Sequence, residues 1–337
     1  MAGMASTIKD VAKKANVSIA TVSRILNGQP GYSVKTKQKV LQVIDELGYQ
    51  PNAVARGLIN KKTHTIGVLF PSLWGSLVTE WLRGIEKAAS DGGSSVIVCH
   101  TESNGEKTMK YLQLLGEKRV DGIIFASEVL QEEYYQVIKK MKVPLVLLST
   151  KSDSLPVPYV KVDDFQAAYS ATEYLIQKGH KSIGMISGNS EDIIAGIPRI
   201  DGFIKAMKDN DIPFNENSIV KTRGFGFDEG KTGMRDLLSQ KPDVTAIFAA
   251  SDEIAIGAIS TAYLLGKKVP EEISIIGYDN IDIASMSVPP LTTIHQPFIE
   301  MGEIAGKMLL DMMETDQVPD SKIIKHTIIE RNSVKEI

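Results

Sequence analysis

The stretch Val17–Gly28, VSIATVSRILNG, carries two sorts of surface on one short helix. At helical spacing Val17, Val22, Ile25 and Leu26 form an apolar stripe. Ile19, Ala20, Ser23 and Arg24 fall together on another face, where a solvated helix normally carries long charged side chains. Small, apolar and cationic groups together suit the major groove of DNA, which admits one helix and displays a distinguishable pattern of donors, acceptors and methyls. Arg24 can donate a bidentate pair to guanine O6 and N7, Ile19 and Ala20 can meet thymine methyls, and Ser23 faces the bases beside them. Ser18, Thr21 and Asn27 can fix the helix on phosphates. The same pattern also suits a small three-helix domain that packs on a larger body.

The elements around this stretch agree with the first reading. Ile8, Val11, Ala12 and Ala15 recur at helical spacing behind an N-cap at Ser6 or Thr7, and Ser18 can cap the second helix. After the loop NGQPGYS, Ser33 caps a third helix striped by Val40, Val43, Ile44 and Leu47 and stopped by Gly48. Helix, tight turn, second helix and third helix make a helix-turn-helix module. Charge points the same way. Residues 1–62 hold ten Lys or Arg against Asp10, Asp45 and Glu46, a net of +7, whereas the remainder nets −10. A basic module on an acidic body suits a polyanionic partner, and a solvated basic face is the plainer alternative.

From Thr65 onward the texture changes. TIGVLFP, SVIVCH, VDGIIFAS, VPLVLLS, SIGMISG, VTAIFAAS and EISIIGYD are near-continuous apolar runs of the kind buried in parallel sheets, alternating with amphipathic helical stretches. IGVLFP resembles IGMISG, and DGIIFAS resembles TAIFAAS, so two related βα lobes are expected, with ligands at the carboxyl ends of strands and between lobes. A chain of 337 residues with 43% apolar and 23% charged residues is ordinary for a globular protein of two or three domains. The single cysteine, Cys99, fits a reducing compartment. With no signal peptide at the N-terminus and no apolar run of membrane-spanning length, the expected location is cytoplasmic and no membrane partner is expected.

TIKDVAKKANVSIATVSRILNG, VKTKQKVLQVIDELGYQPNAVARGL, ISIIGYDN and PPLTTIHQP together resemble the LacI/GalR family of bacterial transcriptional regulators, along essentially the whole chain and in the family's order. The resemblance implies an α/β fold: an N-terminal helix-turn-helix headpiece and a two-lobed, periplasmic-binding-protein-like body of doubly wound parallel sheets. The expected divisions are a headpiece at 1–50, a hinge helix and linker at 51–64, a first lobe at 65–161 with 295–320, and a second lobe at 162–294 with 321–337. It also implies a homodimer on a palindromic operator in double-stranded DNA, controlled by a sugar-like effector between the lobes. Ile19, Ala20 and Arg24 match the family's base-reading positions. NAVARGL matches the hinge helix, so Ala55 and Leu58 are expected in the minor groove, with Leu58 the apolar wedge that opens a base step.

For the body, the resemblance implies that Arg199 clamps ligand oxygens and Asp279 accepts from hydroxyls, a pair suited to a polyhydroxylated ligand. Phe225 matches an aromatic position against the sugar face, Ser251 a polar position, and Gln296 and Phe298 follow the crossover into the first lobe. Trp74 lies in PSLWGSL, where many members end in Asn-Pro-Phe-Phe, so this wall of the pocket departs from the family. The catabolite control protein A branch, which answers to phosphorylated HPr, typically has an arginine where this chain has Val288 in SMSVPPLTT. That loss of a phosphate-binding side chain disfavours phosphorylated HPr and favours a small-molecule effector.

No catalytic residue, metal ligand or cofactor is expected. His64, His100, His180, His295 and His326 are scattered without ligand spacing, and no phosphate-binding glycine loop or nucleophile elbow occurs. No leucine heptads follow KIIKHTIIERNSVKEI, so a dimer rather than a tetramer is expected. A sugar-binding module that does not bind DNA, and an enzyme acting on a sugar, are the competing classes.

Overall fold

The computed structural model describes residues 6–26, 28–49, 62–71, 76–102, 106–315 and 317–337. The chain divides into two compact units, Met1–Thr63 and His64–Ile337.

The first unit is built on α1 (Ile8–Ala15), α2 (Ile19–Leu26) and α3 (Val34–Leu47). Each start has a local cause. The Asp10 carboxylate accepts from the Thr7 N–H at 2.9 Å and its hydroxyl at 2.7 Å, which fixes the first turn of α1. Ser18 Oγ accepts from the Thr21 N–H at 3.1 Å and caps α2, and Ser33 Oγ does the same for Thr36 in α3. Asn16 and Gly48, both left-handed, end α1 and α3. Val11, Ala15, Val22 and Val40 are wholly buried where the helices meet, with Ile25 and Val43 beside them.

The second unit holds two six-stranded sheets. The first contains β1 (Thr65–Phe70), β2 (Ser95–His100), β3 (Gly122–Ala126), β4 (Leu145–Leu148), β5 (Tyr159–Val162) and β11 (Lys322–Ile324), in the order β11-β5-β4-β3-β1-β2. The second contains β6 (Ile183–Asn189), β7 (Ile219–Thr222), β8 (Ala246–Ala249), β9 (Ser274–Asp279), β10 (Thr292–His295) and β12 (Thr327–Ile329), in the order β12-β10-β9-β8-β6-β7. Among the described residues every strand pairing is parallel except β10 with β12. This is the expected α/β architecture. The apolar runs read from the sequence become the interior strands: β3, β8 and β9 are buried along their whole length by helices on both faces.

The chain crosses between lobes after β5, after β10 and after β11. The last crossing corrects the expectation that residues 321–337 belong entirely to the second lobe. Lys322–Ile324 pairs with β5 in the first sheet, and only β12 returns to the second. The added strand covers an otherwise open edge of β5. Likewise His295 still belongs to the second sheet, paired with Asp279, and the first-lobe segment begins after it. The helix Phe298–Thr315 then lies on the helix Ser76–Asp91. A Cβ on Gly302 would collide with the Trp81 carbonyl, so glycine permits the close crossing that seats Trp81 and Phe298 together.

Candidate functional site

On α2 the two faces separate as the spacing requires. Val22 and Ile25 are buried against α1 and α3, while Ile19 is 45% exposed and Ala20 and Arg24 face solvent. Ser23 and Thr21 lie partly covered between these faces. Ser18, expected on a phosphate, is exposed, and its hydroxyl also caps α2 and bonds the Thr21 hydroxyl at 2.9 Å. Asn27, Ala55, Leu58 and Trp74 lie outside the described residues.

In the body, a cavity of about 640 Å³ opens where strands of both sheets end at their carboxyl termini. Arg199, Phe225, Ser251, Asp279, Gln296 and Phe298 all line it, although they span almost a hundred residues of sequence. Each is positioned by a local feature. Arg199 rides on the helix Gly196–Asp209, and Ser251 is the N-cap of the helix Asp252–Leu264. The Ser251 hydroxyl accepts from the Ile254 N–H at 3.0 Å and donates to the Phe225 carbonyl at 2.6 Å, tying the aromatic loop to the helix. Asp279 ends β9 with φ 116°, a conformation that L side chains rarely adopt, and Gln296 Nε2 donates to its Oδ1 at 2.8 Å. Asp252 supports the turn after it, accepting from the Ile281 N–H at 2.8 Å and the Thr293 hydroxyl at 2.5 Å.

Arg199 does not pair with Asp279. Its Nε and Nη2 donate to Asp164 Oδ1 at 3.0 and 2.9 Å, and its Nη1 donates to the Ala250 carbonyl at 2.6 Å. The Tyr278 hydroxyl also donates to Asp164 Oδ1, at 3.1 Å, and Lys161 Nζ sits 3.2 Å from Oδ2. The guanidinium lies 3.7 Å from the Tyr278 ring centroid and 5.6 Å from that of Phe225. Burial opposes its charge, but Tyr278, Asp164 and Asp279 outweigh burial and hold it protonated. Among the described residues, three of its five guanidinium donors are committed inside the protein, so it lines the cavity as a fixed cation. Asp279 is different. Burial pushes its carboxyl up to about 7, against the pull of Arg199 and Gln296.

The first-lobe wall contains residues not anticipated from the sequence. Trp81 makes an edge-on contact with Phe298 at 5.2 Å and stacks on Phe70 at 6.2 Å. Among the described residues its buried indole N–H finds no acceptor, at a cost of about 1–3 kcal/mol. Glu128 accepts from the Thr101 and Thr108 hydroxyls at 3.0 and 3.2 Å, and burial raises its pKa. Asp192 and Arg223 add one charge of each sign to the second-lobe wall.

Residues 7–52 match the model of bacterial regulatory proteins of the lacI family, and residues 172–334 match that of the periplasmic binding protein-like domain. Catabolite control protein A of Priestia megaterium is 39% identical over 331 residues, covering 98% of this chain and 99% of the relative. The chain belongs to the LacI family. It is a DNA-binding transcriptional repressor of that family, not an enzyme. The lac repressor dimer bound to operator and the anti-inducer ONPF superposes with a TM-score of 0.89 at 28% identity, over 98% of this chain and 100% of that one. A LacI family regulator from Enterococcus faecium with bound ribose gives 0.72 at 30% identity, over 81% of this chain and 99% of that one.

Within this LacI-family body, Asp164 is the residue whose importance was hardest to foresee. It lies 35 positions from Arg199 and 114 from Tyr278, at the start of the helix that follows the first crossover. The one available signal was the double acid Asp163–Asp164 directly after a strand, where Asp163 is the N-cap and Asp164 turns inward. Among the described residues, no helix is long and apolar enough to cross a membrane.

Proposed function

We propose that the protein binds a palindromic operator as a homodimer and that a sugar or sugar derivative in the cavity changes its operator affinity. The observation that carries the reading is the outward face of α2, where a half-exposed Ile19 stands beside Ala20 and Arg24 although the opposite face already supplies a core. An apolar side chain left in water on a basic module finds its partner in base methyls, and Arg24 supplies the hydrogen bonds. Ser18, Thr21 and Asn27 take phosphates, and Ala55 and Leu58 enter the minor groove. The similar lac repressor was seen as a dimer on its operator. In this chain the exposed apolar side chains Tyr263, Leu264, Met286 and Val288 give the second lobe a surface for a second copy.

Val288 also bears on the alternative of phosphorylated HPr as corepressor. Its side chain is 87% exposed at the position where a phosphoserine would need a cation, so the small-molecule reading is favoured. The cytoplasm, where DNA and a diffusible sugar meet, is the proposed location.

A gel-shift titration of the full chain on the promoter region, against a chain lacking residues 1–63, tests this reading. Binding should vanish with the deletion and weaken steeply with salt, by about 0.9 log units per log unit of salt for each phosphate neutralised. Retention by the truncated chain, or a flat salt response, sinks it. Met286→Glu with Val288→Glu should convert a dimer to a monomer in sedimentation. An unchanged sedimentation coefficient would move the interface elsewhere.

A further inference from the structure

The second crossover leaves β10 at His295 and reaches the helix Phe298–Thr315 through Gln296 and Pro297. Two side chains of this joint reach back to one turn. Gln296 Nε2 donates to Asp279 Oδ1 at 2.8 Å, and His295 Nδ1 lies 3.1 Å from Asn280 Nδ2. Both residues of that turn have positive φ, 116° at Asp279 and 61° at Asn280, a conformation that its surroundings must hold. The bonds around Asn280 also fix the state of His295. Arg331 Nη2 donates to Asn280 Oδ1 at 2.7 Å, and Arg331 Nη1 is anchored on the Leu291 carbonyl at 2.7 Å. A guanidinium only donates, so the amide oxygen faces Arg331 and the amide NH2 faces His295. His295 Nδ1 is therefore the acceptor, which requires a neutral imidazole protonated on Nε2. Were the ring an imidazolium, both neighbours of Asn280 would be donors, and its one oxygen could face only one of them. No flip of the amide resolves that conflict.

We propose that His295 is a positioning residue and a pH-sensitive pin: its neutral ring ties the Asp279–Asn280 turn to the joint between the lobes, and a second proton releases it. The inference rests on the reading of the body as a regulator of operator affinity and adds protons to its inputs. Burial and the Arg331 charge hold the imidazole pKa below its ordinary 6.5, against the pull of Glu300 on the helix that follows. The other charged neighbours are Asp279, in register with His295 on β9, and Asp252, which holds Thr293 two residues earlier. A base whose folded pKa is depressed stabilises the fold above its unfolded value. The contribution of the pin is therefore full above about pH 6.5 and is lost as pH falls through the lower folded value. The sequence before His64 contains no histidine, so no headpiece imidazole titrates alongside it.

Nitrogen NMR of the full chain, isotope-labelled at histidine, tests the pin, with His295→Asn identifying the resonance. At about pH 7.5, His295 Nδ1 should be bare and Nε2 protonated. Asn280→Gly accepts the positive φ without strain and should raise the titration midpoint, because nothing then demands an acceptor at Nδ1. Operator titrations of the full chain test the consequence. The amide oxygen introduced by His295→Asn accepts at every pH, whereas the native ring accepts only while neutral. The ratio of native to variant affinity should therefore shift by about two- to tenfold between about pH 7.5 and 5.5, the worth of one hydrogen bond. Asp279 and Asp252 titrate in both chains and cancel in that ratio. Melting of each variant at about pH 7.5 checks that it folds. The proposal is overturned by a proton on Nδ1 of the neutral ring, by a midpoint that Asn280→Gly leaves unmoved, or by a ratio that stays flat across that range. A chain that binds operator yet carries the Nδ1 proton defeats the pin alone. A chain that binds no operator at any pH defeats the operator reading, and the spectra then decide the pin by themselves.

Discussion

On α2, Ile19 and Arg24 face water, whereas in the cavity Arg199 is 6% exposed and spends three N–H groups inside the protein. Both regions present an arginine to which the proposed function gives a recognition role, yet they prepare it in different ways. The headpiece carries its arginine on the exposed face of a helix whose other face forms the core, so the proposed recognition and folding are expected to be separable there. The cavity builds its arginine into the packing, so that a change at the ligand surface is also a change in stability.

The sharpest break of this comparison is Arg199→Ala. It removes the guanidinium from Asp164, which stays buried with Lys161 and Tyr278 as its remaining partners. Stripping one member from a buried ionic network costs about 3–5 kcal/mol, and urea unfolding of the body should register it. A loss below about 1 kcal/mol would mean that Lys161 and Tyr278 satisfy Asp164 without the guanidinium.

A pH titration comes next. Asp279 has a folded pKa of about 7 against an ordinary 3.8, chiefly through burial, so between those values the native state holds a proton that the unfolded chain releases. Its contribution to stability is therefore full below about pH 4, declines as pH rises, and is lost above about pH 7. Asp279→Asn should flatten this decline in a series of urea unfolding curves, leaving the similar trend of Asp252, which burial also shifts upward. In the native chain a hydroxylated ligand should bind more tightly as pH rises through 7, since the ionised carboxylate is the better acceptor. Affinity that falls over that range would show that the protonated Asp279 donates to the ligand.

These differences also explain what the sequence made legible. Parallel interior strands such as Gly122–Ala126 and Ser274–Asp279 announce themselves because burial on both faces leaves no polar alternation to blur them. Tyr159–Val162, Ile219–Thr222 and the two strands after residue 321 are three or four residues long, carry lysines or threonines, and give no such signal. The α2 surface was legible because both of its faces are local, set by spacing within eight residues. The cavity was legible only where a family motif marked it. Asp164, Trp81 and Glu128 act through partners distant in sequence, and no local pattern tells a carboxylate held by Thr101 and Thr108 from a solvated one.

Arg24→Ala probes the separable side of the comparison. The exposed side chain should contribute little to folding, within about 0.5 kcal/mol, while specific operator binding loses about 1–3 kcal/mol at one guanine position. Competition gel shifts over single-base operator variants distinguish this from a phosphate contact, whose loss would weaken every sequence alike.

The smallest effect asks whether folding and recognition separate within the headpiece itself. Ser18 and Ser33 cap successive helices through the same geometry, each hydroxyl accepting from an N–H three residues on at 3.1 Å. Either serine changed to alanine should cost about 1 kcal/mol of headpiece stability, read as faster amide exchange in its helix. Only Ser18 also stands on the face proposed to meet phosphates. Measured well below the melting temperature, Ser33→Ala should leave operator affinity unchanged, while Ser18→Ala should reduce it by about two- to tenfold. Equal losses for the two variants would mean that cap stability alone governs binding. In that case α2 would share the cavity's fusion of structure with recognition, and the contrast between the two regions would hold only for Arg24.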